Sequence, residues 1–462
     1  MPVIGAIMVP HPPILLPEVS RGEEKKLSAT DRAYREAAAL VRELAPETIV
    51  LFSPHSVIYA DYFHISPGEN AEGDMGQFRA WNVKIRADYD SAFAEALAST
   101  ALNIDFPAGT LGERNPKLDH GTMVPLYYVN QFYRDYRLVR IGLSGLPLAD
   151  HYRLGQMIQQ TADSLDRRVM VIGSGDLSHK LREDGPYGLS KEGPEYDERI
   201  MDVMGRAAFD ELFDFDESFC DKAAECGHRS FCMMAGALDG LKLETRKLSH
   251  EGTFGVGYGI CTYRVTGECG ERRSLEIWKE RQKEKLEEMR RKEDAYVRLA
   301  RASISSWVRE KKRPVLPEDL PGEMLKDRAG VFVSLHKDGR LRGCIGTIQA
   351  TRKNIAEEIV ENGISAATKD PRFSPVRPDE LDALEISVDI LGEPERISSK
   401  EELDVKRYGV IVSKGFRRGL LLPNLDGIDS VDEQVAIALR KAGLSEREKV
   451  FEMERFEVVR HV

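Results

Sequence analysis

The stretch Val169-Met170-Val171-Ile172-Gly173-Ser174-Gly175-Asp176-Leu177-Ser178-His179 decides the fold. Its four opening apolar residues, mostly β-branched, read as a parallel-sheet strand buried on both faces. The Gly-Ser-Gly that follows ends the strand, because glycine tolerates the backbone angles of a tight loop. His179 is thereby delivered just past the carboxyl end of a central strand, where open α/β sheets bind their ligands.

Outward from there the same arrangement recurs. Val3 to Val9 reads as a strand that stops at Pro10-His11-Pro12-Pro13, and Thr48 to Phe52 as another, followed by Ser53-Pro54-His55-Ser56. Arg137 to Leu143 is a further strand. Helical spacing marks Ser28 to Leu44, Ala149 to Leu165, Glu195 to Leu212 and Arg229 to Leu241, and a β pair within Thr253 to Val265 closes the series. The alternation predicts an α/β first domain, a central mixed sheet with flanking helices.

The chain has 462 residues, too many for one ordinary core. After Gly270 the composition changes: Arg272 to Lys292 is dense in Lys, Glu and Arg and predicts a solvated helix. Beyond it Val331 to His336, Leu341 to Thr347, a helix from Asn354 to Thr368, Glu385 to Leu391 and Val410 to Leu422 form a smaller α+β set. The expected division is residues 1–265, a charged helical linker over 266–290, and a second domain over 291–462.

A net charge of −11 argues against general nucleic-acid or anionic-membrane binding. Apolar runs such as Val3 to Val9 are too short to span a bilayer, and no basic leader opens the sequence, so a cytoplasmic location is expected. None of the six cysteines forms a Cys-x-x-Cys pair, which argues against a zinc ribbon and favours reduced thiols.

His11 and His55, each beyond a strand and each flanked by proline, are a candidate half of a metal site. Glu225, in Ala-Ala-Glu-Cys-Gly-His-Arg-Ser, is the candidate third ligand of a 2-His-1-carboxylate set, a donor group that suits non-haem Fe(II) and leaves positions open. Asp221, Cys226 and His228 are its neighbouring competitors. His120 and His179 then serve as unligated acid–base groups, since imidazole titrates near neutral pH. His64, His151 and His250 read as structural or solvated.

Pro-His-Pro-Pro, Ser-Pro-His, Asp-His-Gly-Thr-x-Val-Pro-Leu, Gly-Ser-Gly-Asp-Leu-Ser-His and Ala-Glu-x-x-x-Arg-Ser-x-x-x-x-Ala-Gly-Ala occur here in the order seen in class III (LigB-type) extradiol dioxygenases. The resemblance covers residues 1–264. It implies His11, His55 and Glu225 as iron ligands and His120 and His179 as catalytic histidines outside the metal shell. It also implies O2 and a catechol-like aromatic as substrates, with His179 as base and His120 as acid, or the two exchanged. Memo-type proteins share the fold without established ring cleavage. A sulfur ligand from Cys226 would favour a different metal or chemistry, and zinc is the alternative ion.

Leu341-Arg342-Gly343-Cys344-Ile345-Gly346-Thr347, Asp370-Pro371-Arg372-Phe373-Ser374-Pro375 and Arg418-Gly419-Leu420-Leu421-Leu422-Pro423 resemble the AMMECR family over residues 291–462. That resemblance implies a two-domain fusion that associates with a radical S-adenosylmethionine enzyme. Arg342 and Arg372 stand open between an anion site and surface pairing, and Cys344 between a reactive thiol and a small buried residue. The expected function is thus an Fe(II)-dependent oxidoreductase; a scaffold for the radical enzyme and a zinc hydrolase are the alternatives.

Overall fold

The strand Val169–Ser174 sits inside a six-stranded sheet, hydrogen-bonded in parallel to Thr48–Ser53 on one side and to Val3–Val9 on the other. Arg137–Gly142 extends the sheet in parallel beyond Thr48–Ser53. Beyond Val3–Val9 the antiparallel strands Tyr258–Glu268 and Leu241–Glu251 complete it. This computed structural model describes residues 2–337, 339–425, 427–448 and 450–462. Its internal contacts divide the chain into two units, with the division at residues 280/281, inside the helix Ser274–Lys292.

Period-two alternation explains how one sheet supports two cores. Val50, Phe52, Val169 and Val171 pack into one cluster with Tyr152, Ile158, Phe231 and Met234. Their neighbours Ile49, Leu51, Met170 and Ile172 pack into another with Tyr34, Val41, Val124 and Tyr128. The helices Leu148–Ser164 and His228–Ala237 therefore cover one face, and Ser28–Leu44 and His120–Val129 the other. Each central strand is buried along its whole length, which is why it reads as a continuous apolar run.

Two sequence expectations change. The helix expected to reach Leu241 ends at Ala237, and Leu241 instead opens an eleven-residue strand, so the closing β pair is Leu241–Glu251 with Tyr258–Glu268. The glycines at the end of Val169–Ser174 also act differently from expectation. Neither Gly173 nor Gly175 has a positive φ. A Cβ on Gly175 would instead collide with the Cα of Gly227, so glycine is needed there to let two backbones touch.

The second unit carries the strand order Arg340–Gly346, Val331–Lys337, Glu385–Leu391, Glu452–His461, Tyr408–Lys414, Arg417–Leu421, with Glu395–Ile397 paired to Glu452–His461. The expected run Val410 to Leu422 is a hairpin that turns at Gly415, whose φ is +59°. Val333, Leu335, Ile386 and Val388 share a core with the helices Ala295–Glu310 and Ile355–Thr368. Arg340–Gly346 is an edge strand, and the outward N–H of Cys344 is satisfied by Asp370 Oδ2 at 2.9 Å.

Candidate metal centre

Three strand ends and one helix start converge at the carboxyl edge of the parallel strands. His11 stands two residues beyond Val3–Val9, and the carbonyl of Pro10 before it accepts the buried Tyr34 hydroxyl at 2.6 Å. The His11 backbone N–H donates to Asp176 Oδ1 at 2.8 Å, which ties this loop to the end of Val169–Ser174. His55 follows Thr48–Ser53, with its backbone N–H on Ser53 Oγ at 3.2 Å. His120 is the first residue of the helix His120–Val129, whose cap is Asp119, accepting from the N–H of Thr122 at 3.0 Å.

The imidazoles meet. His11 and His55 bring their Nε2 atoms to 3.0 Å, the His120 ring stacks on His55 at 4.0 Å between centroids, and it lies 5.4 Å from His11. The tautomer of His11 follows from its partner. Ser174 has one hydroxyl hydrogen and donates it to the Gly121 carbonyl at 2.6 Å, so His11 Nδ1–H must donate to Ser174 Oγ at 3.0 Å. That leaves the lone pair of His11 Nε2 facing His55. Burial and then the His55 charge push His11 down to about 3, and burial with the neighbouring rings pushes His120 down to about 4. Desolvation also lowers His55. Neutral imidazoles with one anchored nitrogen are the form that ligates metals.

At the third position the structure brings a different side chain to the histidine pair. The Glu225 carboxylate accepts the backbone N–H of His228 at 2.6 Å, at the start of the helix His228–Ala237, and is absent from the group around His11 and His55. Cys226 takes that place: its Sγ lies 3.6 Å from His11 Nε2, and the ligand atoms of His11, His55 and Cys226 fall within 4.8 Å of one another. Ala224, left-handed at φ 53°, ends the preceding helix, and the loop behind it carries Cys226 to the histidine pair. The Asp176 backbone N–H donates to Cys226 Sγ at 3.3 Å. His228 is not a substitute ligand, because its Nε2–H donates to the Leu212 carbonyl at 2.9 Å and its Nδ1 accepts the Tyr196 hydroxyl at 3.3 Å.

These donors suit a transition ion. With metal–nitrogen bonds of about 2.1 Å and a metal–sulfur bond of about 2.3 Å, the His11–His55 spacing of 3.0 Å and the His11–Cys226 spacing of 3.6 Å are each short enough for the two donors to share one ion. The buried Cys226 thiol, its pKa pushed up by desolvation, must lose its proton when a cation binds. The Asp176 carboxylate, with Oδ2 at 4.0 Å from His11 Nε2, is a further acidic group at the centre that motif reading passed over. Its only signal was its place in the strand-end motif.

His179 is tied to the loop that carries Cys226, its backbone N–H donating to the Ala223 carbonyl at 3.2 Å. Its Nδ1–H donates to the Ala224 carbonyl at 2.6 Å, which turns Nε2 free for proton exchange. Two aromatic rings stand edge-on to the outer histidines: Phe78 at 5.5 Å from His120 and Tyr187 at 5.2 Å from His179. Arg182, Asp184, Gly185 and Pro186, with Ile14, Phe254 and Tyr258, line an open cleft of about 420 Å³. Among the other histidines, His250 Nε2 pairs with the buried Asp197 at 2.8 Å, and Asp197 also accepts the Ser178 N–H beside His179.

A family model described as the catalytic LigB subunit of aromatic ring-opening dioxygenase matches residues 5–261, and the AMMECR1 model matches residues 297–461. A Clostridium acetobutylicum protein is 39% identical over 473 aligned positions, covering 100% of this chain and 99% of its own. A Thermotoga maritima protein is 53% identical over 170 positions, which span 37% of this chain and 98% of the relative. Among solved structures, an uncharacterized Pyrococcus horikoshii protein shares 33% identity at a TM-score of 0.34, covering 36% of this chain and 88% of that one. No helix among the described residues is long and apolar enough to cross a membrane.

Proposed function

Because this chain belongs to the LigB family over residues 5–261 and carries an AMMECR1-family domain over 297–461, we propose that its first unit is a metal-dependent oxidoreductase acting with O2 on a small phenolic ring. The observation that carries the proposal is the convergence of His11 Nε2, His55 Nε2 and Cys226 Sγ, with two further imidazoles beside them. A bound transition ion supplies a centre at which a phenolate and dioxygen can be held together and exchange electrons.

The residues of the chain do the rest. His11 and His55 present neutral lone pairs, and Cys226 adds a soft anionic donor once deprotonated. His179, fixed through Nδ1 on the Ala224 carbonyl, takes the ring hydroxyl proton at Nε2. His120, held at the helix start by its Asp119 cap and kept neutral by burial, offers its ring N–H as a hydrogen-bond donor on the oxygen side. Phe78 and Tyr187 offer edges against which a planar ring packs. Iron is the ion this reading requires.

Sulfur among the ligands favours one competing reading, a zinc site that activates water for hydrolysis. Anaerobic purification followed by metal analysis and oxygen-electrode measurements with catechol separates the two. Stoichiometric iron with catechol-dependent oxygen uptake is expected. Zinc without uptake replaces oxidation by hydrolysis, and a protein that retains no transition metal removes both.

A further inference from the structure

The second unit holds a cluster of cations whose arrangement is independent of the metal centre. Arg342 forks Glu380, Nε to Oε1 at 3.0 Å and Nη2 to Oε2 at 2.9 Å. Arg372 forks Asp370 in the same way, at 3.0 Å and 2.7 Å. Both carboxylates are buried: the Glu380 side chain is 8% exposed and that of Asp370 2%. They therefore act as fixed anchors behind the guanidinium groups rather than as solvent-facing partners. Arg342 Nη1 also donates to the Ser374 carbonyl at 2.9 Å, which holds the loop that follows Arg372.

The forks occupy the Nε and Nη2 edges and direct Nη1 of Arg372 away from its anchor. Arg342, Arg372, Phe373, Ser374, Arg377 and Glu380 line one open cleft of about 430 Å³, within the usual size of small-molecule sites. Lys337 reaches Glu380 as well, at 3.3 Å. Four cations (Lys337, Arg342, Arg372, Arg377) thus face Glu380, Asp370 and the exposed Asp379. This positive excess is local, because the whole chain carries −11. The Phe373 ring lies 5.4 Å from the Arg372 guanidinium carbon and adds an apolar wall.

We propose that this cleft binds a small oxyanion-bearing molecule, a phosphate ester or a carboxylate, through Arg372 and Arg377, with Arg342 behind them and Phe373 beside them. Planar guanidinium forks suit either oxyanion. The buried anchors hold Arg342 and Arg372 in place before the ligand arrives, so little side-chain freedom remains to be lost on binding.

Isothermal titration of the full chain at fixed ionic strength, with inorganic phosphate, adenosine monophosphate and citrate as separate probes, tests this. Saturable one-site binding of at least one probe is expected, and the tighter class assigns the oxyanion as phosphate or carboxylate. Arg377→Ala, which removes a largely exposed side chain, is expected to weaken that probe about tenfold with an unchanged melting temperature. Arg372→Lys, which keeps the charge and loses the fork, is expected to weaken it as well. Absence of saturable binding with all three probes overturns the proposal. So does parental affinity in both variants, which would mean that the anion binds elsewhere.

Discussion

Ser53 donates its hydroxyl to Asp119 Oδ1 at 2.5 Å, and this one bond joins the strand end that carries His55 to the helix that starts at His120. The same carboxylate caps the helix through the Thr122 N–H and hydroxyl, and it lies 3.5 Å from the fully buried Arg140. Asp119 is therefore the piece that sets two imidazoles at stacking distance. Asp119→Ala removes the cap, worth about 1 kcal/mol, and strips a buried guanidinium of its carboxylate, worth about 1–2 kcal/mol more. A loss of about 2–3 kcal/mol in the unfolding transition of the first unit is expected by urea titration, together with weaker turnover through a displaced His120. A variant as stable as the parent would show that Arg140 and the helix need no help from this side chain.

Neighbouring positions 225 and 226 give the sharpest test of the ligand set. Cys226→Ala takes away a donor from the group of three and is expected to lower retained metal at least tenfold by elemental analysis. Glu225→Gln keeps an acceptor for the His228 N–H and is expected to leave metal content unchanged. The reverse pattern, metal lost with Glu225→Gln and kept with Cys226→Ala, would restore the carboxylate as the third ligand.

Where the sequence was legible, one residue type and one position sufficed. Val169 to Ile172, Ile49 to Phe52 and Val3 to Val9 are apolar on both faces because both faces are covered, and His11 and His55 follow strand ends that proline makes visible. Glu225 and Cys226 were beyond such reading. Adjacent residues in a loop leave it in different directions, and the outcome depends on the left-handed Ala224 that ends a short helix. Leu241–Glu251 was obscured for another reason: it lies at the sheet edge, so its inward residues alternate with Lys, Glu and Arg beside an apolar helix end. Glu452–His461 is as charged, though it lies inside its sheet, because most of its length stays partly or fully exposed.

Burial gives Glu225 a pH signature. Desolvation raises its pKa from 4.5 to about 7, so between those values the folded protein holds a proton that the unfolded chain has released. Stability of the metal-free first unit therefore falls as pH rises from about 4.5 to about 7 and is level above that, by about 3 kcal/mol in all. Glu225→Gln, which cannot ionise, is expected to flatten this slope in urea titrations at pH 5, 6, 7 and 8. Identical slopes in parent and variant would place the charge of Glu225 in a well-solvated setting.

Glu380 carries the opposite sign in the second unit. The Arg342 guanidinium holds its carboxyl at about 2, below the ordinary 4.5. Its contribution is complete above about pH 4.5 and is lost as pH falls toward 2, because the unfolded chain takes up the proton first. Arg342→Met is expected to cost about 3 kcal/mol at pH 7, since it leaves a buried carboxylate short of its main partner, and roughly half that at pH 3. A penalty independent of pH would assign the effect of Arg342 to packing of its methylenes and to the Ser374 carbonyl it holds.

Gly175 links the fold to the centre by contact of two backbones. A methyl group there would overlap the Cα of Gly227, and neither loop has space behind it: Phe231 packs against both glycines. Relief by shifting the 225–227 loop outward would carry Cys226 Sγ away from His11 Nε2, now 3.6 Å apart. Relief on the other side would move Asp176, which holds the His11 backbone N–H at 2.8 Å. Gly175→Ala is therefore expected to weaken metal retention at least tenfold and to cost about 1–3 kcal/mol, the usual range for overpacking. Elemental analysis and urea titration of the same preparation check the pair of effects. Full metal content at parental stability would mean that the two loops move together, and that the glycine contact does not set the position of the sulfur.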